Sequence, residues 1–163
     1  MLGRRKKRSA EGPAMYERLR EMALDAVALG MPPPPPEHAR VAGAVIDIPA
    51  DGGYATVVAM TDNSTSMYTS VGGGTIGAGE HEAVAAATHA LLATIDGHLD
   101  EFAESDDTAQ PAAGTVRVFA LTPTGRRVAD MPDDIFWIRS QGPQTPVAMA
   151  AQGVIAALRQ ASG

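Results

Sequence analysis

From Val41 the apolar residues alternate, with Ala42, Ala44, Ile46 and Ile48 on one side and Asp47 on the other, which predicts a strand over 41–48. Asp51-Gly52-Gly53 supplies a turn, 54–61 a second strand, Asp62-Asn63-Ser64 a second turn, and 65–71 a third strand of an antiparallel meander. The period then lengthens: Val84, Thr88, Leu91, Leu92, Ile95, Leu99 and Phe102 recur at helical spacing, the buried stripe of a helix of about twenty residues opened by Glu80. An acidic, flexible connector over 103–114 leads into a hairpin of strands 115–122 and 126–131 around Pro123-Thr124-Gly125, and Ile135-Phe136-Trp137-Ile138-Arg139 adds a sixth strand. Thr145 as cap and Pro146 at the first helical position open a last helix whose face is Val147, Ala150, Ala151, Val154, Ile155 and Leu158. Gly153 inside that helix costs about 1 kcal/mol against Ala, which implies close packing on the sheet or on a second copy.

Ahead of the sheet, Met15, Tyr16, Leu19, Met22, Ala23, Ala26 and Val27 define an amphipathic helix over 14–29 that ends at Gly30 and docks on the body. Pro32 to Pro36 is a polyproline II spacer rising about 3.1 Å per residue, with binding to a proline-recognition module as its alternative use. The organisation expected is a basic disordered tail (1–13), an N-terminal helix (14–30), a proline-rich linker (31–40) and an α+β domain (41–163). Its fold class is a single antiparallel sheet of five or six strands covered by two or three helices, in the order α-βββ-α-ββ(β)-α.

Composition narrows the chemistry. Hydrophobic residues make up 45% of the 163 positions but aromatics only 4%, so the core is built from Ala, Val, Leu, Ile and Met. The net charge of −6 is uneven: residues 1–20 hold seven of the thirteen basic residues and two of the nineteen acids, leaving the rest at −11. An acidic body repels nucleic acid and anionic lipid, so contact with an anionic partner falls to the arm Arg4, Arg5, Lys6, Lys7 and Arg8. The absence of cysteine excludes disulfides, thiolate catalysis and cysteine-zinc sites. With no apolar window long enough to span a bilayer and no apolar signal core after the basic start, the expected location is the cytoplasm.

The densest candidate for function is the stretch Tyr68, Ser70, Gly72, Gly73, Gly74, Thr75, Gly77, Gly79, Glu80 and His81, read as a strand-to-helix turn. It satisfies G-x-G-x-x-G literally, but the acidic residue expected about 20 positions on falls at Asp96 or Asp100, in or just after the same helix rather than at the end of a second strand. A phosphate loop fails because Glu80 stands where a lysine must be. Glu80 and Glu82 instead suit the positive end of the helix they begin. Three histidines, His81, His89 and His98, point in different directions around the helix and cannot share an ion, so no metal and no cofactor are expected. If chemistry occurs, it pairs His81 with Ser70 or Tyr68, although no serine sits in G-x-S-x-G.

The run from Asp62 to His81, with Pro36-Glu37-His38-Ala39-Arg40-Val41 upstream and Gly114-Thr115-Val116-Arg117-Val118-Phe119-Ala120-Leu121-Thr122 downstream, resembles a family of uncharacterised bacterial proteins that share a strand-GGG-x-I-G-x-G-x-H block, over 36–131. That resemblance implies no activity and assigns no catalytic residue. The order of elements is also similar to profilin-like and roadblock-type binding and dimerisation scaffolds, by analogy of fold alone. The reading that follows is a cytoplasmic, non-enzymatic module that binds a protein partner or itself, through the last helix at Ala150, Gly153 and Ala157 or an exposed strand edge. The alternative is a small-molecule or hydrolytic site at the glycine turn.

Overall fold

Two short turns fix the centre of the sheet. The computed structural model describes residues 14–75 and 78–162, so the basic arm, Ile76, Gly77 and Gly163 lie outside them. Strands β1 (Gly43–Ala50) and β2 (Gly53–Met60) are joined by Asp51-Gly52, with Gly52 at φ 78° and Ala50 paired with Gly53. Between β2 and β3 (Thr65–Thr69), Asn63 takes φ 68° while Asp62 Oδ1 accepts the Ser64 N–H, the local bond that lets Asx residues hold such a turn. β4 (Gly74–Thr75), β5 (Ala103–Glu104), β6 (Thr115–Thr122) and β7 (Gly125–Pro132) complete one antiparallel sheet in the order β4-β3-β2-β1-β6-β7-β5.

The sheet therefore has seven strands rather than five or six. The two additions are two-residue strands at its edges, too short to leave a periodic signal. The expected strand over Ile135–Arg139 is instead a short helix α3 (Asp133–Phe136) followed by a turn. Pro132 precedes it and Asp133 and Asp134 occupy its first turn, where acids suit the helix dipole.

Helices cover both faces. On one side α2 (Glu82–Gly97) and α4 (Thr145–Ser162) pack on Ala44, Ile46, Val57, Ala59, Val118 and Ala120. On the other, α1 (14–24) lays Tyr16, Ala23 and Leu24 on Val45, Val58, Met60, Tyr68, Phe119 and Leu121. A strand buried on both sides reads as a nearly continuous apolar run, which is what 41–46 shows. All seven residues of the stripe on the middle helix are buried. That helix is shorter than expected, however: it starts at Glu82 and stops at Gly97, and Leu99 and Phe102 reach the core from a 3-10 turn, Leu99–Glu101, and its exit.

Three other expectations change in detail. Regular α1 ends at 24, not 29; the chain keeps turning to Gly30, whose φ of 99° closes it with bonds from Gly30 N to Val27 O and Met31 N to Ala26 O. Thr145 is already helical, since the Ala148 N–H bonds to Gln144 O, and its Oγ1 accepts the Gly142 N–H. The connector after β5 is tied down: Arg20 donates to Thr108 O, Arg117 to Ala109 O and Tyr54 Oη to Pro111 O. No described helix is long and apolar enough to cross a membrane.

Candidate functional site

The glycine stretch forms a hairpin rather than a strand-to-helix turn. Gly72 and Gly73 take φ 108° and 86° in open space, and Thr69 N bonds back to Gly73 O before β4 pairs with β3. Gly74 is required twice over: its φ is 150°, and a Cβ there would collide with the Met67 carbonyl and Tyr68 Cα. Ser70 Oγ accepts the Tyr54 N–H, and Thr69 Oγ1 donates to Gly72 O. Of the remaining predicted residues, Thr75 ends β4, Gly79 and Glu80 lie in the 3-10 turn Ala78–Glu80, and Gly77 falls outside the described residues. His81 is the exposed N-cap of α2 and makes no side-chain cap bond. Tyr68 is buried under α1, and α2 packs on the opposite face of the sheet, so His81 and Tyr68 are separated by the sheet itself.

Tyr68 packs instead beside a buried polar network centred on Asp47, which has no signature in the sequence. Asp47, fully buried, accepts two-pronged bonds from Arg20, with Nη2 2.7 Å from Oδ2, and a third from Thr56 Oγ1 at 2.8 Å. Because the Thr56 hydroxyl proton is committed to Asp47, Tyr16 Oη donates to Thr56 Oγ1 at 2.6 Å and accepts from Gln110 Nε2 at 2.7 Å. Every bond in this chain points towards the carboxylate. Tyr68 Oη, edge-on to Tyr16 with ring centroids 5.7 Å apart, is buried and has no partner among the described residues. Burial pushes the Tyr68 hydroxyl well above its usual range and raises that of Tyr16 as well. The network fastens α1 to the sheet, with Asp47, Thr56 and Tyr16 buried and Arg20 and Gln110 partly exposed at its outer end, which suits a structural clasp.

The histidines divide differently from their helical angles. His98 Nδ1–H donates to Thr94 O, while His89 meets His38, from the 3-10 turn Pro36–His38 of the proline-rich segment. No group of three or more His, Asp or Glu side chains that could hold a metal occurs among the described residues. In the proline run, Pro32, Pro33 and Pro36 are exposed while Pro34 and Pro35 are half-buried.

An apolar surface remains, built by α3 and α4. Trp137 is 40% exposed, Ile138 44% and Met149 61%. Ile138 N bonds to Ile135 O and Arg139 N to Asp134 O, a Schellman closure that places Ile138 at φ 60°, the position glycine ordinarily takes. A β-branched residue there is strained by roughly 1–2 kcal/mol. Gln152 Nε2 donates to Phe136 O, which brings this turn against α4, with Met149 and Ala156 about one helical turn to either side of Gln152. Gly153, beside it, is exposed, so its lack of a side chain does not serve packing on the sheet. Val154 and Leu158, by contrast, are core, and so is Ala157, a residue expected on the association face; Ala156 is the exposed residue beside it.

No protein-family model, curated protein or solved structure matches this chain. The signals for the α3–α4 face in the sequence are a helix with a single charged residue, Arg159, and the adjacent Trp137 and Ile138, which fit a strand as well as a helix end.

Proposed function

We propose that the protein is a non-enzymatic module that self-associates, and that the α3–α4 face receives a second copy of the chain. The observation that carries this is the charge pattern of α4. Its 18 residues include a single charged side chain, Arg159, and its solvent side presents Met149, Gly153 and Ala156. Two copies of a chain with net charge −6 repel one another over most of their surface, so a neutral apolar face is where they can meet. A Cβ at Gly153 would meet nothing within 4 Å, which leaves room for a neighbouring backbone to approach closely.

Charge balance favours a copy of the same chain over an unrelated partner. Asp133 and Asp134 adjoin the turn and Arg139 and Arg159 lie beyond it, with Asp134 and Arg139 3.2 Å apart. A two-fold interface sets each surface against itself, and equal numbers of acids and bases make such a surface self-complementary. Exposed Trp and Met are enriched in such contacts. Pairing through sheet edges is disfavoured, because both edge strands are two residues long. Against catalysis at the glycine stretch stands the separation of His81 from Tyr68 by the sheet.

Sedimentation velocity across a concentration series tests this. The expected result is a reversible dimer that Met149→Glu and Gly153→Glu each convert to a folded monomer. A wild-type protein that stays monomeric at about 100 μM, or dimers unaffected by both changes, would overturn it.

A further inference from the structure

Arg126, at the start of β7, stands between two cavities. One, of about 370 Å³, is polar and lined by Glu104, Ser105, Asp106, Thr124, Arg126 and Arg127. The other, of about 290 Å³, is lined chiefly by Leu24, Val27, Ala28, Leu121 and Pro123 from the end of α1 and the β6–β7 turn. They share Asp106, Thr122, Gly125 and Arg126, so a polar and an apolar cavity adjoin across a common wall. Both volumes lie near the lower end of the roughly 300–1,000 Å³ typical of small-ligand sites.

The arginines are incompletely used. Arg126 Nη1 donates to Leu24 O at 3.1 Å and to Asp25 Oδ1 at 3.3 Å, but its Nε is buried with no acceptor among the described residues. Arg127 reaches Leu99 O at 3.4 Å and stands 3.9 Å from Glu104 Oε1, both long. A buried, unmet guanidinium N–H is costly to leave. A carboxylate satisfies it with the planar geometry a guanidinium favours. The same cavity holds two carboxylates, Glu104 and Asp106, which suit an ammonium group. The adjoining apolar cavity suits an aliphatic chain.

The geometry points to a binding site for a free α-amino acid with an aliphatic side chain. Its carboxylate meets Arg126 and Arg127, its ammonium meets Glu104 and Asp106, and its side chain enters the pocket beside Leu24 and Leu121. The site shares no residue with the α3–α4 face, so it stands or falls independently of self-association.

Calorimetric titration of the full chain with L-leucine tests it, using N-acetyl-L-leucine, L-leucinamide and glycine to remove the ammonium, the carboxylate and the side chain in turn. Saturable binding of L-leucine is expected, with each of the other three at least about tenfold weaker, a difference of about 1.4 kcal/mol. Arg126→Gln should lose about tenfold or more. Because that change also releases the end of α1, Arg127→Gln and Asp106→Asn, which remove none of the hydrogen bonds that hold α1, serve as second variants and should weaken binding in a protein with wild-type thermal stability. No heat at about 10 mM L-leucine, equal binding of N-acetyl-L-leucine, or unchanged binding in Arg127→Gln and Asp106→Asn would overturn the assignment.

Discussion

His38 and His89 face each other with 3.1 Å between His38 Nε2 and His89 Nδ1, in a space that admits one proton. The ring centroids are 5.4 Å apart, which puts both nitrogens close to the line joining the rings. Two ligands of one ion would converge on a point off that line, so the contact is an N–H···N hydrogen bond. His38 Nδ1–H donates to Val41 O, and His89 Nε2 lies 3.0 Å from Asn63 Oδ1. The chain thus links the proline-rich segment, the residue Val41 that leads into β1, α2 and the β2–β3 turn. A double-mutant cycle with His38→Leu and His89→Ala, followed by urea denaturation, should give a coupling of about 0.5–1.5 kcal/mol. Strictly additive effects would mean the bond contributes nothing.

The clasp under α1 makes a larger demand. Arg20→Met leaves the Asp47 carboxylate buried and unpaired, a change that typically costs 3–5 kcal/mol, so a loss of about 3 kcal/mol is expected. Amide exchange should show α1 losing protection before the sheet does, because this pair and its Thr56–Tyr16 extension hold the helix in place. A loss below about 0.5 kcal/mol would show that Asp47 finds water when Arg20 is gone.

Tyr16 and Tyr68 provide a test of sign. Both hold their protons more tightly in the folded protein, chiefly because burial disfavours the phenolate. Their contribution is therefore complete below about pH 10, where unfolded tyrosine ionises, and is lost as the pH rises towards their folded values. Denaturation midpoints from about pH 8 to pH 11 should fall with pH above about 10, and Tyr68→Phe should make that fall shallower. At neutral pH the two differ. Tyr68→Phe removes a hydroxyl with no partner and should cost little, whereas Tyr16→Phe strands Thr56 and Gln110 and should cost about 1 kcal/mol or more.

The three positive-φ glycines of the β3–β4 hairpin should not respond alike. Gly72→Ala and Gly73→Ala meet open space and incur only the backbone penalty, about 1–2 kcal/mol. Gly74→Ala adds a collision with β3 and should lose at least about 1 kcal/mol more. Equal losses in thermal denaturation at all three positions would mean β4 peels away from the sheet at little cost.

These positions also mark how far sequence alone reaches. The two faces of β1 and the stripe on α2 were legible because each is a long run at one period. In sequence Gly72–Gly74 looks like a turn into a helix because a two-residue strand has no period to show. Asp47 could be placed on its face of the strand, but its partner could not, since Arg20 lies 27 residues earlier and meets it only when α1 folds over the sheet. Four consecutive apolar residues, 135–138, fit strand or helix equally. Pro132-Asp133-Asp134 ahead of them was the deciding signal.

Ile138 separates the structural from the functional account of the α3–α4 face. If the turn matters only for the fold, a β-branched residue at φ 60° is a plain cost, and Ile138→Gly should stabilise the chain by about 1 kcal/mol with no other effect. If the face receives a second copy, the same substitution still relieves strain in the protomer, yet it removes an apolar contact beside Trp137. The expected outcome is a higher melting temperature at low concentration together with a dimer dissociation constant weakened about tenfold or more. Melting curves at two concentrations and sedimentation on the same samples distinguish the cases. A variant that is more stable and associates as the wild type does would show that Ile138 lies outside the interface.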